Sequence, residues 1–170
     1  MMRHRSLYGN AIHTDHFSMQ GHIALPVASS GIAALLLEGG CTAHSRFKIP
    51  VDEKAKQCNM TMQSSTAHLI KEAKLIVWDE APMTHKGAFE MVDTLLKDIM
   101  SVGEGNAWRK SVPFGGKTIV FSGDFRQVLP VVPRGSRAAI VGSSLRRSYL
   151  WSTMKVRISQ FENVLVDSNC

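Results

Sequence analysis

With 170 residues, 44% of them hydrophobic, the chain is long enough for one domain with a substantial core and too short for two full ones. It holds no apolar run long enough to span a bilayer, and four histidines and two arginines stand near its start, where a secretory leader needs an apolar centre; a soluble, non-secreted protein with no membrane partner is expected. Cys41, Cys58 and Cys170 are odd in number, far apart and in no Cys-x-x-Cys spacing, which argues against a disulfide framework and a zinc site and fits a reducing compartment.

Residues 1–22 read as a loosely attached arm. His4, His13, His16 and His22 lie in it, but no cysteine or carboxylate cluster completes a metal-coordination set around them. The first candidate strand, "IALPVASSG" from Ile23, is a continuous apolar run of the kind buried on both faces of a parallel sheet, although Pro26 weakens it by lacking a ladder donor. "SSGIAALLLEGG" predicts a helix that begins after Ser29 or Ser30 and stops at Gly39 and Gly40. "SSTAHLIKEA" from Ser64 predicts another, and "KLIVWDEAP" from Lys74 a second buried strand. In "HKGAFEMVDTLLKDIMSVG" the residues Phe89, Val92, Leu96 and Ile99 recur at helical spacing, so an amphipathic helix ends near Gly103 and residues 101–116 follow as a loop. "KTIVFSGDF" from Lys117 is the third strand. Strands alternating with helices imply crossover connections and an α/β sheet, mostly parallel and flanked by helices.

The formal charge of +6 is unevenly spread: Arg134, Arg137, Arg146, Arg147, Lys155 and Arg157 follow one another without an intervening acid. Such a run is either a phosphate-facing patch or a solvated basic face.

Ligands of parallel sheets gather beyond the carboxyl ends of the strands. In "LIVWDEAP" an apolar strand delivers Asp79 and Glu80 to such an end, where one acid can hold magnesium through water while the other orients a water for attack on a phosphoryl group. The alternative is an exposed acidic turn before Pro82. Gly115-Gly116-Lys117-Thr118 looks like a phosphate-binding loop but precedes a strand instead of following one, and Ser111 stands where that loop needs its first glycine. Lys117 is therefore expected on the wrong side of the sheet, which disfavours a small-molecule kinase. At the other end of that strand, Gln127 could contact both a terminal phosphate and the attacking water.

"VASSGIAALLLEGGCTAHSRFKIP", "LIVWDEAPM" and "GGKTIVFSGDFRQVLPVVPRG" together resemble three successive helicase motifs of the Pif-one-like DNA helicases, superfamily-one enzymes also carried by Helitron transposons. The resemblance runs from about Ile23 to Trp151. It implies part of the first RecA-like motor domain, over residues 23–158, of a 5′→3′ DNA helicase that uses ATP and magnesium and acts in DNA repair, recombination and telomere maintenance. Asp79 would be the magnesium-linked acid, Glu80 the base that positions water and Gln127 the γ-phosphate sensor, with Asp124 and Arg126 supporting that loop. Ser29, Ser30 and Gly31, with Thr42, Ala43 and His44, would contact single-stranded DNA, duplex DNA being the other partner. Each has a plainer role open to it: Ser29 or Ser30 as a helix cap, His44 as a structural histidine, and Phe47, Trp78 and Phe125 as packing.

The family pattern also begins with a strand, a Gly-rich loop ending in Gly-Lys-Thr and a helix, which residues 1–22 do not supply, and continues into a second motor domain after residues 159–170, read here as a shortened tail. A truncated copy with little unwinding activity alone is expected, the alternative being a non-catalytic nucleic-acid-binding remnant. Arg3 and Arg5 with the single acid Asp15 fit the nucleus or the mitochondrion.

Overall fold

A computed structural model describes residues 21–52, 55–124, 129–132, 135–158 and 164–167. Its centre is four parallel strands, β1 (Ala24–Ala28), β2 (Cys41–Thr42), β3 (Leu75–Asp79) and β4 (Thr118–Phe121), in the spatial order β2-β1-β3-β4. Two antiparallel strands, β5 (Lys155–Ile158) and β6 (Val164–Asp167), extend the sheet beyond β4, with β6 next to β4. Helix α1 (Gly31–Leu35) joins β1 to β2; α2 (Ala43–Phe47) and α3 (Ser65–Glu72) lie between β2 and β3; α4 (Lys86–Ser101) leads to β4; and α5 (Arg137–Gly142) follows it.

Parallel register explains why the strands read as unbroken apolar runs. Leu25, Ile76 and Ile119 form one row across β1, β3 and β4, and Val27, Trp78 and Phe121 the next. Because side chains alternate, these rows share one face. There they pack with Phe47 of α2, Ile70 of α3 and Phe89, Val92, Leu96 and Ile99 of α4. Trp78 is fully buried and lies 4.7 Å from Phe89, 5.7 Å from Phe47 and 5.9 Å from Phe121, centroid to centroid. The expected packing roles of Trp78 and Phe47 hold. A separate small core joins Ala28 to Ala33, Ala34 and Leu37, from α1 and the turn after it.

Pro26 sits within β1 without interrupting it. The carbonyl of Ile23 and the N–H of Ser29 both bond to the β3 side, so by alternation Pro26 faces the β2 side. Strand β2 pairs only with Val27 and Ala28, so the missing donor falls beyond its reach.

Residues 101–116, expected as a loop, are instead organised by a buried carboxylate. Asp93 lies on the buried face of α4 and accepts bonds from Phe114 N at 2.6 Å, Lys97 Nζ at 2.7 Å and the Tyr149 hydroxyl at 2.7 Å. Phe114 is thereby drawn into the core, within 3₁₀ turns at Ala107–Ser111 and Pro113–Gly116. The segment read as a shortened tail contributes β6, whose Val-Leu-Val-Asp run pairs with both β4 and β5. Among the described residues no helix is long and apolar enough to cross a membrane.

Candidate active site at the carboxyl rim

The register gathers the candidate residues along one edge. Ala28 pairs with Thr42 on one side and Asp79 on the other, and Trp78 pairs with Phe121, so Ser122 stands beside Asp79. Thr42, Ser29 to Gly31, Asp79-Glu80 and Ser122 to Asp124 therefore all lie at the carboxyl ends of four adjacent strands, each about 4.8 Å from the next. The connection leaving β1 runs to β2 on one side, and that leaving β3 runs to β4 on the other. The crevice between β1 and β3 is thus the point where the winding reverses, the usual ligand position in an open parallel sheet.

Asp79 is buried, 1% exposed, at the last position of β3, and its Oδ1 accepts a bond from the Ser122 hydroxyl at 2.8 Å. Glu80 follows in the left-handed conformation, φ 52° and ψ 34°, which turns the chain sharply out of the strand. Three backbone bonds hold this turn: Ala81 N to Ser122 O at 3.0 Å, Met83 N to Glu80 O at 3.1 Å and Thr84 N to Ala81 O at 3.0 Å. Gly123, φ 140°, closes against it, and a Cβ there would come within 2.6 Å of Pro82 Cδ. The half-buried Glu80 receives a hydrogen bond on Oε2 from the Ser30 hydroxyl at 3.0 Å, across the crevice between β1 and β3.

Ser29 and Ser30 differ in direction. The Ser29 hydroxyl accepts from Trp78 Nε1 at 3.0 Å and Thr84 Oγ1 at 2.7 Å and donates to Asp79 O at 3.4 Å, so its bonding is directed inward. Ser30 caps α1, accepting from Ala33 N at 3.2 Å while donating to Glu80. Gly31 is exposed, with open space where a Cβ would stand. Thr42 caps α2 through Ser45 N at 3.2 Å, and His44, the second residue of that helix, is exposed. Asp124 is half-buried just past Gly123. Phe125, Arg126 and Gln127 lie outside the described residues.

Lys117 lies at the opposite end of β4, as its position before that strand requires. It is 5% exposed and donates from Nζ to Ala73 O at 2.6 Å and Lys71 O at 2.9 Å, closing the end of α3; burial, with Lys74 and Arg109 nearby, lowers its pKa to about 8. The basic run approaches the carboxyl rim: Arg146 and Arg147, both exposed, line a cavity of about 450 Å³ beside Pro82 with Leu129, Val141 and Trp151. Arg146 lies over the Trp151 ring at 5.7 Å. Arg134 and the Arg157 side chain are outside the described residues.

Two contributors were not singled out from sequence. Ser122 orients Asp79, and its signal was a hydroxyl placed directly after an apolar strand, in register with the acid. Thr84 anchors Ser29, and no pattern marks it. Among the described residues no three His, Cys, Asp or Glu side chains cluster as a closed metal cage. A buried carboxylate oriented by a hydroxyl, with a second carboxylate next to it, does fit magnesium, which takes oxygen ligands, keeps several waters and needs only one or two protein carboxylates. Asp79 would hold it.

The sheet order and this rim define a RecA-like α/β domain. The PIF1-like helicase family model matches residues 7–168, and the chain belongs to that family. It is 30% identical over 111 residues to the ATP-dependent DNA helicase Pif1 of Psychrobacter sp. (strain PRwf-1), spanning 64% of this chain and 16% of that protein. It is 34% identical over 113 residues to the ATP-dependent DNA helicase PIF1 of Emericella nidulans, spanning 64% of this chain and 14% of that one. The crystal structure of a Bacteroides Pif1 helicase in complex with ADP-AlF3 and ssDNA shares the fold, with a TM-score of 0.61 and 23% identity over 75% of this chain and 29% of that one.

Proposed function

We propose that this chain forms part of the first motor domain of an ATP-dependent DNA helicase that moves 5′→3′, and that the carboxyl rim is where nucleotide and single-stranded DNA meet. The single observation that carries this reading is the pairing of Glu80 with Ser30 across the reversal point of the sheet, beside the buried Asp79. Asp79 holds magnesium, which supplies charge neutralisation for the phosphates. Glu80 accepts a hydrogen bond from the attacking water and orients it. Gln127, with Asp124 and Arg126 in its loop, senses the terminal phosphate. Ser30, Gly31, Thr42 and His44 contact the strand, and Ser29 fixes the end of β1 from which Ser30 and Gly31 follow. DNA repair, recombination and telomere maintenance are the processes such a motor serves, in the nucleus, with the mitochondrion as the other compartment.

Translocation needs two domains that open and close around ATP, and the chain spans only 14–16% of the two relatives above, so the 170-residue chain by itself is expected to unwind little. A strand-displacement assay with magnesium and ATP tests this. Robust displacement that Glu80→Gln abolishes would place unwinding within these residues and overturn the expectation of weak activity. Binding of a labelled single strand tests the DNA half: affinity should fall as salt rises, with a slope of about 0.7 per neutralised phosphate.

A second reading rests on the exposed Arg137, Arg146, Arg147 and Lys155. A non-catalytic nucleic-acid-binding remnant would use these and show single-strand affinity indifferent to ATP and to Glu80→Gln.

A further inference from the structure

We propose that Ser30 is a positioning residue for Glu80, and that a phosphate of single-stranded nucleic acid and the Glu80 carboxylate compete for its one hydroxyl hydrogen. This rests on the reading of Ser30 as a strand contact and adds a link between the two halves of the rim.

A serine hydroxyl has one hydrogen to give and two lone pairs to receive. In Ser30 the oxygen accepts from Ala33 N at 3.2 Å, and the hydrogen goes to Glu80 Oε2 at 3.0 Å. Carboxylate and phosphate oxygens can only accept, so the two anions cannot share that hydrogen. The backbones on both sides are fixed. Ser30 O accepts from Ala34 N at 3.0 Å, and the neighbouring Ser29 N bonds Asp79 O at 3.1 Å. Glu80 is clamped in its left-handed turn, with its Cα 3.4 Å from where a Cβ on Gly123 would stand. Only side-chain rotation remains, so the destination of one hydrogen decides where the Glu80 carboxylate points. Both side chains are half-buried, and the open space at Gly31 leaves room for a phosphate to approach.

Without a strand, Ser30 holds the carboxylate toward β1. When a phosphate takes the hydrogen, the carboxylate is released to turn and accept from a water. Linkage makes the effect reciprocal, so a carboxylate that keeps the hydrogen weakens strand binding.

The test measures fluorescence anisotropy of a labelled oligothymidine with the 170-residue chain at fixed ionic strength. Glu80→Ala removes the competing acceptor and should tighten binding by roughly threefold to tenfold, the range of one ordinary hydrogen bond after exchange with water. Ser30→Gly removes the hydroxyl while keeping most of the helix cap, and Ser30→Ala is a second hydroxyl-free background. In both, the gain from Glu80→Ala should shrink to less than about twofold, and Ser30→Thr should restore it. An equal gain in every Ser30 background, or no gain in any, overturns the proposal while leaving the strand-contact reading standing. If the unmodified chain shows no salt-sensitive binding at all, the strand-contact reading fails and this inference with it.

Discussion

The two ends of strand β4 carry sequences that look equally suited to a nucleotide, Gly-Gly-Lys-Thr before it and Ser-Gly-Asp after it, and the fold gives them opposite work. At the amino end the groups satisfy one another: Lys117 closes the end of α3, and Arg109 Nη1 donates to Gly115 O at 3.1 Å. At the carboxyl end the partners are side chains, with Ser122 on Asp79 and Ser30 on the half-buried Glu80. The difference follows from strand direction: crossover helices of a parallel sheet begin at the carboxyl rim, so the turns that present side chains to a ligand lie there. A lysine between two glycines and a threonine says nothing until the polarity of the adjoining strand is known.

The largest expected effect separates the rims by their glycines. Gly123→Ala forces a side chain at φ 140° into Pro82, and Gly115→Ala places a Cβ 2.7 Å from Leu96 O at φ 62°. Each should cost about 2–4 kcal/mol in urea denaturation. In conditions where both variants remain folded, Gly123→Ala should also tighten single-strand binding, because displacing the Glu80 turn frees the Ser30 hydroxyl, while Gly115→Ala should leave binding unchanged. Equal binding in both would dissolve the contrast between the rims.

Next comes Lys117→Ala. It removes a buried stem and leaves two carbonyls at the end of α3 without their donor, for a loss of about 2–3 kcal/mol near neutral pH. Single-strand binding should be unchanged once the variant is folded; a large loss of affinity would mean the lysine serves the ligand after all.

Lys117 also gives the amino rim a pH signature. Its folded pKa of about 8 lies below the ordinary 10.5, so between those values the unfolded chain binds more protons and stability rises with pH. Above that window the contribution is fully present, and it is lost as pH falls through about 8. The difference in stability between the unmodified chain and Lys117→Ala should therefore grow by about 1–2 kcal/mol from pH 8 to 10, a comparison in which the opposite trends of Cys58 and Tyr149, whose pKa values burial raises, cancel.

Much of this arrangement was legible in the sequence because it depends on local pattern and direction. The three apolar runs, the spacing of Phe89, Val92, Leu96 and Ile99, and the serines capping α1 and α3 all report which way the chain runs and which face it buries. What could not be read depends on pairing between distant residues. Asp93 looks like a polar interruption of α4 until Phe114 and Tyr149 arrive from 21 and 56 residues away. Strand β2 is two residues long, too short for any periodicity, and exists because it lies against the end of β1. Pro26 argued against a strand it does belong to, because sequence does not show which side of β1 lacks a neighbour. Ser30 was legible as a cap, whereas its second bond, to a residue 50 positions on, was not.

The smallest expected effect bears on the carboxyl rim alone. Asp79 is a buried acid at a strand end whose neighbour Ser122 orients it without neutralising its charge. If magnesium with ATP binds through this carboxylate, the folded state alone offers the site, and ligand at about ten times its dissociation constant stabilises by about 1.4 kcal/mol. For a domain of this size that raises the melting temperature by roughly 3–5 °C. Asp79→Asn keeps an oxygen that can accept from Ser122 but removes the charge, so its melting temperature should not respond to the pair, whereas Lys117→Ala should respond as fully as the unmodified chain. A shift that survives Asp79→Asn and disappears in Lys117→Ala would reverse the assignment of the two rims, since the cation site would then follow the glycine-flanked lysine and not the acids beyond β3.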